Sequence, residues 1–168
     1  LTRTEAAVML ARLTNYSDLT VYPSCGAADV PTGSWYTNAV NAFYDAGIET
    51  ASYFRPNAAI SRAELSVWLY RLSGSPYVAS GTIAFHDVAT AGETHDAVSY
   101  GQLHSWINGY PDGTFRPNHS ITRAEAAKLI NRVTGRSLRV QAIVTQFTDV
   151  HASHWAYREI ISAANQVQ

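Results

Sequence analysis

A five-residue pattern recurs three times along this chain and constrains its fold more than any other feature. The copies are Leu1–Glu5, Ile60–Glu64 and Ile121–Glu125. In each copy an apolar residue precedes a Ser or Thr, and a glutamate follows that Ser or Thr three positions later. This is the pattern of a capping box, in which the two side chains satisfy each other's backbone N–H groups at a helix start. Each copy therefore predicts the beginning of a helix.

The capping box does not explain the arginine that follows the Ser or Thr in every copy. Arg3, Arg62 and Arg123 would occupy the first helical position. The helix dipole is already positive there, so a cation costs about 0.3–1 kcal/mol. An arginine beside the free N–H groups of a helix start is well placed to hold a carboxylate. The alternative interpretation is that these arginines pair with nearby acidic side chains.

Other landmarks recur at the same interval as the arginines. The arginines are 59 and 61 residues apart, and the Asp-Val pairs that begin at positions 29, 87 and 149 are 58 and 62 residues apart. A period near 60 residues with independent landmarks indicates a repeat. Each unit contains an Asp-Val pair, a first helix, a loop, a capping box and a second helix. Apolar spacing predicts helices over Arg3–Leu13, Ser34–Ala46, Arg62–Leu72 and Arg123–Val133.

The loop before the last capping box is rich in turn residues. It reads Gly109-Tyr110-Pro111-Asp112-Gly113, where Pro fixes φ and Gly permits a positive φ. A tight turn is expected whatever the function. The equivalent loop of the preceding unit is shorter, because Gly47 to Phe54 spans 7 positions and Ser105 to Phe115 spans 10.

The composition limits the classes of partner. The 12 basic residues nearly balance the 13 acidic ones, so the chain has no general positive field for nucleic acid or an anionic membrane. No run approaches the ~18 apolar residues that a membrane span needs. Cys25 is the single cysteine, which excludes an internal disulfide framework and a cysteine-based metal cluster. Ten Tyr and four Trp favour a surface that binds carbohydrate by hydrogen bonding and stacking.

Catalytic and metal chemistry find little support in the sequence. His151 and His154 lie near Asp149, but they fall at a loop-to-helix junction without a third ligand, and surface or capping roles are favoured. No Gly-X-Ser-X-Gly motif occurs. Most carboxylates are assigned to the capping boxes or, at Asp29, Asp87 and Asp149, to helix starts. The sequence therefore predicts a non-catalytic protein without a cofactor.

Three motifs together resemble the S-layer homology (SLH) domain. They are Phe-Thr-Asp-Val-X-X-X-X-Trp-Ala at 147–156, Gly-Tyr-Pro-Asp-Gly-Thr-Phe-Arg-Pro-Asn at 109–118, and Ile-Thr-Arg-Ala-Glu at 121–125. The resemblance implies a mainly α fold, arranged as a three-fold pseudo-symmetric prism of helix-loop-helix repeats. It also implies a secreted module that anchors a larger parent protein to the bacterial cell wall or S-layer. The implied ligand is secondary cell wall polysaccharide, often with pyruvate-ketal sugars, bound in grooves between repeats.

The resemblance also implies a set of ligand-binding residues, with the capping-box arginines as the main contacts. The candidates are Arg3, Arg62, Arg123, Gly109, Asp112, Gly113, Trp35 and Trp155. Trp35 and Trp155 could flank a sugar ring, although a Trp that begins an amphipathic helix belongs more often to the core. The matching position in the middle copy is Glu93, which departs from the family pattern. We therefore rank the groove that uses Arg123 first.

The repeats lie in a permuted register along the chain. The predicted units are 1–26 as the second half of a repeat, 27–77 and 84–136 as repeats, and 146–168 as the first half of a further repeat. Segment 146–168 could pair with 1–13 in one chain or between two chains as a swap, or neighbouring repeats could lie beyond the two ends. The alternative function is a degenerate SLH module that packs against other proteins without binding sugar.

Overall fold

The predicted capping boxes begin three helices in the computed structural model, which describes residues 1–12, 20–74, 83–135 and 149–164. Six helices lie within these ranges: α1 (Arg3–Ala11), α2 (Thr37–Asp45), α3 (Arg62–Leu72), α4 (Glu93–Leu103), α5 (Arg123–Val133) and α6 (Tyr157–Ala164). The described ranges contain isolated β-bridges but no strand, so the predicted mainly α class is confirmed. None of the described helices is both long and apolar enough to cross a membrane.

The capping boxes have the geometry that the sequence predicts. Thr2, Ser61 and Thr122 each accept a hydrogen bond from the N3 backbone N–H, and the N3 glutamate accepts from the N-cap N–H. Helices α3 and α5 have the predicted bounds. Helix α2 begins three residues later than predicted, because Ser34 lies in a turn whose carbonyl accepts from the backbone N–H of Thr37 at 3.1 Å. Leu13, the predicted end of α1, lies outside the described residues.

Each capping-box helix packs against the helix that follows it. The pairs in contact are α1 with α2, α3 with α4, and α5 with α6. Between α5 and α6, the Asn131 amide donates to the Glu159 carbonyl at 2.9 Å. The predicted repeat boundaries and the pairing of residues 146–168 with 1–13 stay predictions.

Aromatic residues hold the loops to the helices. Phe54 and Phe115, from the two equivalent loops, are fully buried. The Phe54 ring stacks on the Trp68 ring of α3 with centroids 6.1 Å apart, and Phe43 of α2 meets Trp68 edge-on at 5.2 Å. This packing holds the Phe54 loop beside α3, and the aromatic pairs add stability beyond that of the area they bury. Phe115 of the other loop packs against Phe85, with ring centroids 5.8 Å apart.

Backbone hydrogen bonds join the three capping-box helix starts. The Ile60 N–H donates to the Leu1 carbonyl, and the Ile121 N–H donates to the Ile60 carbonyl, both at 3.0 Å. Ile60 and Ile121 are also buried, so these links lie inside the molecule. The helix starts therefore lie side by side, which brings the arginine of one start close to the neighbouring start. The three-fold prism stays a prediction.

Candidate functional site

The three capping-box arginines form ion pairs with the capping-box glutamates in a closed cycle. Arg3 contacts Glu64 at 2.7 Å, Arg62 contacts Glu125 at 3.0 Å, and Arg123 contacts Glu5 at 3.1 Å. The pairing joins each helix start to the next one. The ion-pair interpretation that the sequence left open is therefore realised at all three positions.

Each glutamate of this cycle serves two helices at once. In Glu125, Oε2 accepts from the Thr122 N–H at 2.9 Å and Oε1 accepts from Arg62. Glu5 and Glu64 divide their oxygens in the same way. Burial raises the pKa of Glu125, but the Thr122 N–H, the side chains of Tyr110 and Thr122 and the Arg62 charge outweigh it, so the net pKa is lowered. The carboxylates therefore stay ionised at neutral pH.

Arg3 is enclosed by the protein. Its side chain is 2% exposed, and its guanidinium carbon lies 5.2 Å from the Phe54 ring centroid and 4.8 Å from that of Trp68. Its Nε donates to the Phe54 carbonyl at 2.6 Å, and its two terminal nitrogens donate to Glu64 and Glu49. Every nitrogen of this guanidinium therefore has a protein acceptor.

Arg62 occupies the same kind of position but keeps one nitrogen unoccupied. Its Nε donates to the Phe115 carbonyl at 2.8 Å and its Nη1 donates to Glu125. Its guanidinium lies 4.9 Å from the Tyr110 ring centroid and 4.8 Å from that of Phe115. Its Nη2 has no acceptor among the described residues. An incoming carboxylate could therefore bind Arg62 without displacing a protein group.

Arg123 is the most open of the three arginines. Its side chain is 76% exposed, and Glu5 is its ion-pair partner within the described ranges. The family motif places Gly109 and Trp155 in the groove of Arg123, but these two residues line a groove with Arg62 instead. The reason is that Arg3 and Arg62 reach the loop before the next capping box, where they donate to the carbonyls of Phe54 and Phe115.

The groove around Arg62, called here the Arg62 groove, has a volume of about 240 Å³. Its charged lining consists of Arg62, Glu125, Lys128 and Arg132, three cations against one carboxylate. Trp106, Tyr110 and Trp155 supply aromatic walls. The Tyr110 hydroxyl donates to Glu125 at 2.8 Å, and burial together with that hydrogen bond raises the pKa of Tyr110. The groove combines excess positive charge with ring faces, which suits an anionic sugar.

The two tryptophans predicted at helix starts lie at the surface. Trp35 is 71% exposed and Trp155 is 59% exposed, so the favoured core interpretation was wrong for both. Both precede the first residues of their helices, α2 and α6. The Trp155 ring lies 5.4 Å from the Lys128 ammonium at the edge of the groove, whereas Trp35 meets Tyr36 edge-on at 5.6 Å and lies outside the groove lining.

The Asp-Val aspartates do not cap helices, contrary to the sequence expectation. The N-caps of α2 and α4 are Tyr36 and Gly92. The Asp87 carboxylate instead accepts from the backbone N–H groups of Phe115 and Arg116, both at 2.8 Å, and Asp29 does the same in the equivalent loop. These bonds hold the loops in place, including an arginine with a positive φ in each loop. Local sequence could not reveal them, because the partners are at least 25 residues away.

The turn residues in the candidate list stabilise the loop. The Asp112 carboxylate accepts from the Thr114 side chain, from Arg116 and from the Thr114 N–H, and these bonds lower the pKa of Asp112 to about 2. Gly113 has φ +76°. Gly109, at φ +64°, packs so closely that a Cβ would lie 2.1 Å from Phe85 Cε1. Of these three residues, Gly109 lines the Arg62 groove.

Sequence reasoning missed Lys128 and Arg132, which supply two of the three cations of the Arg62 groove. A signal was present, because Glu125, Lys128 and Arg132 follow at i, i+3 and i+7 and so share one helix face. Glu125 on that face is the capping-box glutamate. Spacing from the capping box could therefore have predicted both cations.

Comparison with known proteins finds a family model that matches two stretches of the chain. The family model of the S-layer homology domain matches residues 28–66 and 85–127. The chain is 34% identical over 175 residues to the cellulosome-anchoring protein of Acetivibrio thermocellus, an alignment that covers 95% of this chain and 37% of that protein. The chain thus spans about a third of the length of this relative.

Two further relatives are larger proteins. The amylopullulanase of Thermoanaerobacterium thermosulfurigenes is 34% identical over 136 residues, which are 77% of this chain and 7% of the enzyme. Cell surface glycoprotein 1 of Acetivibrio thermocellus is 28% identical over 183 residues, which are 98% of this chain and 8% of that protein. The similarity is therefore confined to a small part of each relative.

Proposed function

Because this chain belongs to the S-layer homology domain family, we propose that it is a non-catalytic module that anchors a larger secreted protein to a bacterial cell wall. The names of two relatives, a cellulosome-anchoring protein and a cell surface glycoprotein, support the anchoring role. The similarity to a short part of an amylopullulanase supports a module that can be attached to an enzyme without being its catalytic part.

The ligand that we propose is secondary cell wall polysaccharide, with a pyruvate-ketal carboxylate as the recognised group. The observation that carries this proposal is the unoccupied Nη2 of Arg62 in a groove with excess positive charge. A carboxylate there would form charge-assisted hydrogen bonds. Trp155 stands exposed at the same groove and offers a ring face to a neighbouring sugar.

A structural or assembly module without sugar binding is the second candidate. The cycle of ion pairs favours it, because Arg3 is fully engaged by glutamates and a backbone carbonyl of its own chain. In that case the arginines would serve to hold the helix starts together. The two candidates differ in what they predict for a cell wall.

Co-sedimentation with wall sacculi tests the anchoring proposal. We expect the chain to sediment with Gram-positive-type sacculi and to stay in solution with sacculi stripped of their secondary polymer. Arg62→Gln should lower the affinity about tenfold or more, since it removes a charge-assisted contact. The control is Arg12→Gln, because Arg12 is exposed at the end of α1 and lines neither described groove.

Circular dichroism of each variant separates a lost contact from a lost fold. Equal retention of a folded Arg62→Gln variant and the parent chain would remove Arg62 from the binding site. If the parent chain failed to bind several unstripped walls, the assembly module would be favoured instead. Arg3→Gln and Arg123→Gln complete the series of candidate arginines.

A further inference from the structure

A second groove, called here the Arg3 groove, is the structural counterpart of the Arg62 groove. It has a volume of about 170 Å³ and is formed by Arg3, the loop before the Ile60 capping box, and helix α3. The Arg62 groove is formed in the same way by Arg62, the next loop and α5. The two grooves can therefore be compared residue by residue.

A shared arginine fixes the comparison. Arg71 and Arg132 each come nine residues after the arginine of their own capping box. Arg71 donates to the Ile48 carbonyl at 2.7 Å, and Arg132 donates to the Trp106 carbonyl at 3.2 Å. The next residues in the two loops are Glu49 and Ile107. An acidic side chain in the Arg3 groove thus corresponds to an apolar one in the Arg62 groove.

Glu49 binds Nη2 of Arg3, the nitrogen whose counterpart in Arg62 has no acceptor among the described residues. Arg3 and Arg62 use Nε and Nη1 identically, for a loop carbonyl and a capping-box glutamate. The Nη2 of Arg3 donates to Glu49, which also accepts from the Trp68 indole N–H at 3.3 Å. The Nη2 of Arg62 meets no acceptor among the described residues.

Arg55 also lines the Arg3 groove, but it pairs with Glu64 at 2.6 Å and so adds no cation without a carboxylate partner there. The partners of Arg71 and Arg132 differ in the same direction as those of Arg3 and Arg62. Glu93 accepts from Nε and Nη2 of Arg71, both at 2.6 Å, so both oxygens of its carboxylate are engaged. Within the described residues, the acceptors of Arg132 are the carbonyls of Ser105 and Trp106 and the amide oxygen of Asn108, without a carboxylate. Lys128 adds a further cation to the Arg62 groove, where the Arg3 groove has Val67.

We propose that Glu49 and Glu93 act as internal ligands that close the Arg3 groove, so that of these two grooves the Arg62 groove alone binds an acidic sugar. This inference rests on the proposed function, since it assigns the anion to one of two equivalent places. A carboxylate entering the Arg3 groove would meet Glu49 on Arg3 and Glu93 on Arg71. It would have to displace a buried, paired carboxylate, which is costly. In the Arg62 groove the carboxylate would accept from the free Nη2 of Arg62 and lie near the cations of Lys128 and Arg132.

Three of the four tryptophans line the two grooves and allow each groove to be observed separately. Trp106 and Trp155 line the Arg62 groove and Trp68 lines the Arg3 groove. We would titrate the full ¹⁵N-labelled chain with a methyl hexopyranoside carrying a pyruvate ketal and follow the indole N–H signals, assigned by Trp→Phe variants. The same glycoside without the ketal is the neutral control. Saturable shifts are expected at Trp106 and Trp155 and not at Trp68.

Matched substitutions give the second measurement. Arg132→Gln should weaken binding at Trp155 about tenfold, and Arg71→Gln, at the equivalent position of α3, should leave it unchanged. The inference would be overturned by a Trp68 shift with the same affinity as the Trp155 shift, or by equal losses in the two variants. Both of those results leave the anchoring proposal intact. Absence of a saturable shift at any tryptophan would contradict both proposals.

Discussion

Gly109 shows how a single residue shapes the Arg62 groove. It lies between the backbone of Thr114 and the ring of Phe85, so there is no room for a side chain. Its φ of +64° also lies in the region that favours glycine. Both constraints place the loop backbone directly against the core, next to Tyr110, whose ring faces Arg62.

Replacing Gly109 therefore tests the packing of the loop. In Gly109→Ala the new Cβ would lie 2.1 Å from Phe85 Cε1 and 2.8 Å from the Thr114 carbonyl oxygen. We expect a loss of about 3 kcal/mol in the free energy of unfolding, from overpacking and backbone strain together. Urea denaturation measures it.

The control is Gly113→Ala in the same loop. Its φ is +76°, but a Cβ there would make only an ordinary contact at 3.5 Å with His86 Nδ1. Backbone strain alone should cost about 1 kcal/mol. Equal losses in the two variants would contradict the steric role of Gly109.

At this scale the sequence predicts what local contacts determine. The predicted capping boxes are confirmed, because Thr122 and Glu125 are three residues apart and their hydrogen bonds depend on little beyond the local chain. The partner of Arg62 could not be predicted, since Glu125 lies 63 residues away and depends on how the helix starts meet. The burial of Arg3 could not be predicted for the same reason, because it depends on the distant residues Phe54 and Trp68.

At the scale of elements, the loop over 105–118 depends on the aspartate of its own repeat. Asp87 accepts two backbone N–H groups, those of Phe115 and Arg116. Burial raises the pKa of Asp87, but these two N–H groups outweigh it, so the net pKa is lowered. The loop in turn carries Tyr110 and Gly109 to the groove. Asp87 is therefore a positioning residue for the site.

Asp87→Ala should loosen this loop. It leaves two backbone donors without an acceptor, and we expect a loss of about 2 kcal/mol in the free energy of unfolding. Asp112→Ala is the control in the same loop, because Asp112 is exposed and its bonds compete with water. Its expected loss is clearly smaller than that of Asp87→Ala. Urea denaturation compares the two, and a larger loss in Asp112→Ala would show that the turn, and not Asp87, holds the loop.

The helices themselves were largely predictable, and their environment was less so. The bounds of α3 and α5 follow from capping boxes and apolar spacing. The start of α2 was placed too early, because its N-cap Tyr36 makes no side-chain cap that a sequence could reveal. The exposure of Trp35 and Trp155 depends on which side of each helix start meets the core, and apolar spacing within the helix does not decide that.

At the scale of the whole molecule, the cycle of ion pairs links helices that are far apart in the sequence, α1 and α5 among them. The Arg123–Glu5 pair spans 118 residues. Each pair also involves a carboxylate that caps a helix, so helix starts and long-range contacts share the same groups. Loss of one carboxylate should therefore weaken a helix start and a tertiary contact together.

This sharing predicts how stability depends on pH. The pKa is lowered for Glu5, Glu49, Glu64, Glu125 and Asp87. A carboxylate with a lower pKa in the folded state binds protons more weakly there than in the unfolded chain. Its stabilising contribution is therefore present above the usual Glu pKa of about 4.3 and is lost as the pH falls through the folded value.

We expect the urea midpoint to change little on this account between pH 7 and pH 5 and to fall steeply from about pH 4.5 to pH 3. Glu125→Gln should lower the midpoint at pH 7 and flatten the fall, because the variant has one fewer carboxylate to protonate. Glu159→Gln is a suitable control, because no ion pair involves its side chain within the described residues. A midpoint that stays constant down to pH 3 would show that the ion-pair cycle contributes nothing to stability, and that Arg3 and Arg62 are held by their loop carbonyls and aromatic neighbours alone.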